Sequence, residues 1–228
     1  MTAAEQPMYL AFVKFDLICK EFERQYHEYF DEHVREWTLK DGCVHGWRTR
    51  EFRAAPNEGL LEQEFWQIYH INNPHLFKPQ RTPPKPTEKN PWLRDRSNWG
   101  RVFYRVLSYA EKDKRLAKCW ARFEVNFNGT ADEENAFRKD CAKHITRVLE
   151  LPGIHRAWQL EYLPQELEIG DPAPAKYMCL YEIDAPENIF DVGLGTEVLP
   201  FDSRWSAHQL TPAGRHFAQM LQDLPAPA

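Results

Sequence analysis

Phe65-Trp66-Gln67-Ile68-Tyr69-His70-Ile71-Asn72-Asn73-Pro74 returns 112 residues later as Tyr177-Met178-Cys179-Leu180-Tyr181-Glu182-Ile183-Asp184-Ala185-Pro186. Each run is aromatic and β-branched and closes on turn-forming residues, which is the pattern of a strand. Upstream, Tyr26, Phe30, His33 and Trp37 reappear 111 residues later as Phe137, Cys141, His144 and Val148. Steps of 4, 3 and 4 place each set on one face of a helix. The same offset carries Gly42 onto Gly153 and Trp47 onto Trp158, so the chain reads as two copies of one unit.

A strand precedes each helix, Tyr9 to Asp16 in the first copy and Cys119 to Phe127 in the second. In the latter, Ala121, Phe123, Val125 and Phe127 alternate with Arg122, Glu124 and Asn126, as a sheet with two unlike faces requires. Each copy is therefore predicted as strand, long helix, glycine turn, strand, a third strand, strand and short helix, an antiparallel sheet covered by helices on one side. A hairpin across Arg53 to Gly59 in the first copy, and the longer proline-rich segment Pro164 to Pro174 in the second, would separate the second strand from the last. Appendices follow at Pro79 to Lys118 and Val192 to Leu224. In them Gly100-Arg101-Val102-Phe103 resembles Gly214-Arg215-His216-Phe217, and a helix is expected in each. The proline-rich residues 79–91 suit an extended surface connection. The domains expected are 1–118 and 119–228.

Of the 228 residues, 43% are hydrophobic and 14% aromatic, ample for packed cores, and the formal charge of -5 arises from acids and bases mixed along the chain. No basic, phosphate-tracking patch stands out, so nucleic-acid binding is not expected. No run approaches the roughly 20 apolar residues of a membrane helix, and the N-terminal residues lack a secretory pattern. The expectation is a cytoplasmic protein without a membrane partner, with homo-oligomer formation open. Cys19, Cys43, Cys119, Cys141 and Cys179 are odd in number and never form a CxxC, so neither a disulfide framework nor a zinc knuckle is suggested. Asn128-Gly129-Thr130 is read as a turn.

A sheet covered on one side must bury its other face, and two tandem copies achieve this by pressing those faces together. The order of elements and the duplication resemble the dimeric α/β-barrel superfamily of ferredoxin-like units. His33 followed nine residues later by Gly42, and His144 followed nine later by Gly153, resemble its EthD-like and stress-responsive branch. The fold class implied is α+β, with two fused ferredoxin-like units forming an intramolecular barrel. The resemblance places a ligand cavity between sheet and helices in each unit, with Ala11, Val13, Phe15, Gln67, Tyr69 and Ile71 facing the first helix. Ala121, Phe123, Val125, Cys179, Tyr181 and Ile183 face the second. Lys14, Asp16 and His70 would then meet Arg122, Glu124, Asn126 and Glu182 in the barrel seam, where buried charges need partners.

His33 and His144 lie on the apolar stripes of their helices, where an imidazole can serve as general acid or base or simply as a satisfied core group. Tyr69 and Tyr181 share one repeat position and can donate to a carbonyl or phenolate, or fill a core. Trp37, Trp47, Gln67 and Trp158 are the candidate substrate-binding residues, the tryptophans as walls of a pocket for a planar ligand. Because Trp37, Gln67 and Phe30 become Val148, Cys179 and Cys141 in the second copy, the first is favoured as the working one. No metal or cofactor site is expected. His27 and His33 are six apart and do not share a helix face, and Gly193-Leu194-Gly195 lacks the residues of a phosphate loop. The resemblance implies a cofactor-independent lyase, isomerase or cyclase acting by proton transfer on a hydrophobic aromatic or polyketide-like substrate. Cofactor-free oxygenation, haem binding through His144, His208 or His216, and a non-enzymatic ligand-binding role are the alternatives.

Overall fold

The computed structural model describes residues 8–17, 20–52, 64–76, 96–113, 115, 117–164, 174–190 and 210–225. Cys19, His208, the expected Arg53 to Gly59 hairpin and the proline-rich residues 79–91 lie outside these residues, as does nearly all of the Pro164 to Pro174 segment.

Alternation of large apolar residues produces strands β1 (Tyr9–Leu17), β2 (Cys43–Phe52), β3 (Phe65–Ile71) and β4 (Arg96–Glu111) in the first half. The second half repeats them as β5 (Cys119–Phe127), β6 (Ile154–Tyr162), β7 (Tyr177–Ile183) and β8 (Leu210–Pro225). Helices α1 (Glu23–Thr38) and α2 (Ala131–Val148) follow the first strand of each half, and a single turn, α3 (Glu187–Phe190), follows β7. The eight strands close into an antiparallel barrel in the order β1-β3-β2-β8-β5-β7-β6-β4. The fold is α+β, two ferredoxin-like units fused and packed as a barrel. Registers match between the halves: Ala11 opposes Tyr69 as Ala121 opposes Tyr181, and Trp47 opposes Ile68 as Trp158 opposes Leu180.

Local chemistry sets the elements. Asn128-Gly129-Thr130 is the entry to α2, where the Thr130 hydroxyl accepts from Glu133 N and the Glu133 carboxylate accepts from Thr130 N, a capping box. Gly42 and Gly153, after the helices, have φ of 90° and 75°, which glycine adopts without a Cβ penalty. Gly46 lets α1 approach β2: a Cβ there would meet Val34 Cγ1 at 2.7 Å.

One expectation is corrected. Residues 96–111 and 210–225 are 16-residue strands, not helical appendices. Each strand crosses both halves. Phe103 packs under α1 while Leu107 and Ala110 pack under α2, and Phe217 packs under α2 while Leu221 and Leu224 pack under α1. Bulges in the ladders at Val106/Ser108 and opposite Arg48/Thr49 space these outward residues by three and four, which imitates a helix. β2 and β3 are direct neighbours, and β4 and β8 complete the sheets.

Three apolar cores result. One lies under α1, one under α2, and the third fills the barrel with Leu10, Phe12, Trp47, Trp66, Trp120 and Trp158 among its members. The seam thus joins aromatic and aliphatic side chains to the expected charges Arg122, Glu124 and Glu182. No helix among the described residues is long and apolar enough to cross a membrane.

Candidate functional site

In the first unit, α1 carries a ladder of rings over the sheet. Tyr29 stacks on His33 at 5.5 Å and 16° between ring planes. One turn on, Trp37 Nε1 donates to His33 Nε2 at 3.1 Å. The Trp37 ring lies 5.5 Å from that of Tyr69 on β3, and Lys40 Nζ stands 3.4 Å from the Trp37 centroid. His33 and Trp37 are half-buried, while Tyr69 is buried at 1% exposure. Because Nε2 accepts, the neutral imidazole carries its proton on Nδ1. Burial, with Cys43 and Tyr26 nearby, pushes the Tyr69 hydroxyl well above the usual tyrosine range, so it stays a neutral phenol near pH 7. Gln67 lies two residues before Tyr69 on the same face of β3, opposite Arg48. Arg48 in turn bonds the Asp31 carboxylate and His27 on α1.

In the second unit the corresponding groups touch. His144 Nε2 and the Tyr181 hydroxyl share a hydrogen bond of 3.0 Å. Burial, reinforced by Arg147, lowers the His144 pKa to about 4, so this imidazole is neutral at pH 7. Burial and the neighbouring Cys179 and Cys141 push Tyr181 well above its usual range. Phe123, Phe137, Cys141, Ile145, Cys179 and Tyr181 pack here, each 4% exposed or less.

Trp47 and Trp158 do not join these groups. They are on the opposite face of the sheet, inside the barrel, where Trp47 contacts Trp120 at 5.2 Å and Trp158 stacks on Trp120 at 5.7 Å. The expected pocket of His33, Tyr69, Gln67 and Trp47 is therefore divided by β2 and β3. On β2, Trp47 opposes Ile68, a barrel residue, whereas Gly46 opposes Tyr69.

The barrel interior also holds charge that the sequence reading named only in part. Arg122 forms ion pairs with Glu51 and Glu124, each at 3.0 Å, and its guanidinium lies 3.6 Å from the Trp66 centroid. His216 Nδ1 is 3.5 Å from Glu51. Arg122, Glu51 and His216 border a cavity of about 20 Å³ with Phe12, Trp66 and Trp120, room for about one water. Toward the His45 end of β2, Arg156 bonds Glu182 at 2.8 Å and His45 contacts the Asp223 carboxylate. Glu51, His45, Arg156 and Asp223 were missed. Polar residues at alternating strand positions normally face solvent, and only closure of the barrel turns them inward.

Of the residues suggested for haem, His208 lies outside the described residues, and the other two stand in different places. His144 Nε2 is engaged by Tyr181, the space beside it is filled by the core of the second unit, and His216 belongs to the barrel interior beside Glu51. A pocket for a drug-sized ligand encloses about 300 Å³ or more, and the side chains between α2 and the sheet are packed against one another. Among the described residues no three His, Cys, Asp or Glu side chains are grouped to hold a metal ion.

No family model matches the chain, and no curated protein matches it by sequence. Solved structures do match along nearly its whole length. A monooxygenase candidate from Fusobacterium nucleatum superposes with a TM-score of 0.64 at 8% identity, covering 97% of this chain and 96% of its own. An anthrone oxidase-like protein gives 0.59 at 9% identity, covering 100% and 97%. A chlorite dismutase variant from Candidatus Nitrospira defluvii gives 0.56 at 9%, covering 96% and 93%. These neighbours are dimeric α+β barrel proteins, and this chain shares that fold.

Proposed function

We propose that the chain is a cofactor-independent oxygenase acting on a planar aromatic ketone or phenol of the anthrone kind, bound between α1 and the sheet of the first unit. The observation that carries this reading is the position of Trp37. Its indole is a planar aromatic with a ring-borne N–H, set beside Tyr69 and hydrogen-bonded to His33 Nε2. A substrate that displaces the indole presents its own O–H or acidic C–H to the same imidazole nitrogen. Proton transfer to His33 leaves an electron-rich carbanion or phenolate, and the neutral Tyr69 hydroxyl donates to the developing oxyanion. The anion then reacts with dioxygen; for an anthrone, the CH₂ group and O₂ become a carbonyl and water.

Support for oxygen as the second reactant comes from the fold neighbours described as monooxygenase and anthrone oxidase-like proteins. The lyase, isomerase or cyclase outcome expected from sequence begins with the same proton transfer but has no such support. Descent of the two halves from a duplication, a boundary near residue 118 and a place in the EthD-like branch belong to this proposal.

The test is oxygen uptake by the purified chain with anthrone in the presence of a chelator. One O₂ consumed per quinone formed is expected, and no uptake above the uncatalysed rate contradicts the proposal. Trp37→Ala, which clears the seat, is expected to bind anthrone more tightly. A folded variant that binds no better contradicts displacement of the indole.

A further inference from the structure

The His45 end of the barrel collects charge that neither helix-facing site uses. Arg156 Nη1 bonds Glu182 Oε2 at 2.8 Å, and its Nε is 3.8 Å from Glu111 Oε2. Asp223 takes the His45 imidazole on Oδ1. Three carboxylates from β4, β7 and β8 thus converge around one guanidinium. Glu182 is fully buried at 0% exposure, and the Asp223 side chain is 6% exposed. Yet Glu182 Oε1 and Asp223 Oδ2 have no hydrogen-bond partner among the described residues. A buried carboxyl oxygen without a hydrogen-bond partner is costly, so this end of the barrel is short of polar partners.

The surroundings favour an organic cation. Tyr109 and Trp158 stand 5.2 Å apart beside Arg156, and His45 stacks on Trp47 at 4.1 Å, offering ring faces that attract cations. Tyr109 is 40% exposed, whereas Glu182 is fully buried. The first unit cannot repeat the arrangement, because His70 stands where Glu182 does and His45 where Arg156 does.

We propose that this end of the barrel binds a small organic cation through a primary ammonium group that donates to Glu182 Oε1 and Asp223 Oδ2 and lies against the rings of Tyr109 and Trp158. Its three N–H groups meet the two bare oxygens and leave one for water.

The remaining charged neighbours set the pH dependence. Burial, with Asp223 and Glu111 adding and Arg156 opposing, pushes the Glu182 pKa up to about 8. His70 on β3 is lowered to about 4 by burial and by His45, so it is neutral and supplies no charge. Burial and its bond to Glu111 push the Tyr109 hydroxyl above its usual range, and Trp120 of β5, paired with Glu182, brings no charge. Glu182 therefore holds a proton in the ligand-free protein near neutral pH and releases it when a cation arrives.

Calorimetric titration of the whole chain with benzylammonium at pH 6.5 and 8.5, in two buffers of different ionisation enthalpy, tests this. Expected are binding about tenfold or more tighter at the higher pH, uptake of the released proton by buffer at pH 6.5, and no binding of benzyl alcohol. Glu182→Gln should remove most of the pH dependence, and Asp223→Asn should weaken binding while keeping it. Equal binding of the alcohol and the ammonium, or no benzylammonium binding at either pH by the folded wild type, would overturn the proposal. So would affinity independent of pH.

Discussion

His144 and Tyr181 are joined by a 3.0 Å hydrogen bond, whereas in the first unit the Trp37 indole contacts both of their counterparts, hydrogen-bonded to His33 and tilted against Tyr69 at 5.5 Å. One architecture thus presents the same two groups closed on each other in one half and holding a planar ring in the other. The closed pair serves the core, and the occupied pair is the seat proposed for the substrate.

The closed pair has a pH signature. The folded-state pKa of His144 lies at about 4, below its ordinary 6.5, so on acidification the unfolded chain takes up this proton first. The contribution is present above pH 6.5 and is lost as pH falls from 6.5 toward 4. His70 acts in the same direction. Glu182, raised from 4.5 to about 8, acts in the opposite one, losing stability as pH rises through that range. Urea unfolding midpoints of wild type and His144→Gln between pH 7 and 4 isolate the histidine. The difference between the two should shrink steadily with acid, and a constant difference would show that His144 titrates normally.

Gly153→Ala should destabilise the protein. At φ 75° a Cβ is strained, and here it would also meet the Asn188 side chain at 2.4 to 2.6 Å. A left-handed alanine costs about 1–2 kcal/mol, before any displacement of Asn188, whose carboxamide accepts from Ala185 N. Thermal or urea unfolding checks this, with no loss of stability as the contrary result.

Much of this fold was legible because both halves write the same pattern. The Tyr69 and Tyr181 runs, the helix faces containing His33 and His144, and Gly42 and Gly153 identified the repeated elements. What misled was β4 and β8. Each serves two cores, and a bulge gives Phe103, Leu107 and Ala110 a helical spacing although they belong to a strand. The likeness of Gly100 to Phe103 and Gly214 to Phe217 was real; the element type was not. Trp47 was placed with His33 because both lie in the first half, and alternation alone does not say which face of β2 meets α1. Gly46 does say it, since only a residue without a side chain fits beneath Val34 and Thr38.

Haem should not be held by His144 or His216. With His144 engaged by Tyr181 and His216 beside Glu51, the purified protein should be colourless, and added haemin should give no ligand-field shift of its Soret band. A stoichiometric shift lost in His144→Ala would contradict the packing described under α2.

The most direct measurement of the central claim is the turnover of anthrone by His33→Ala and His144→Ala, each verified as folded by circular dichroism. A general base contributes about 10²-fold or more to rate. His33→Ala should therefore lower kcat by at least about that factor, while His144→Ala, which removes a core hydrogen bond, should lower the unfolding midpoint and leave kcat within about twofold. Full activity in His33→Ala, or loss confined to His144→Ala, would contradict the assignment of the first unit as the catalytic one.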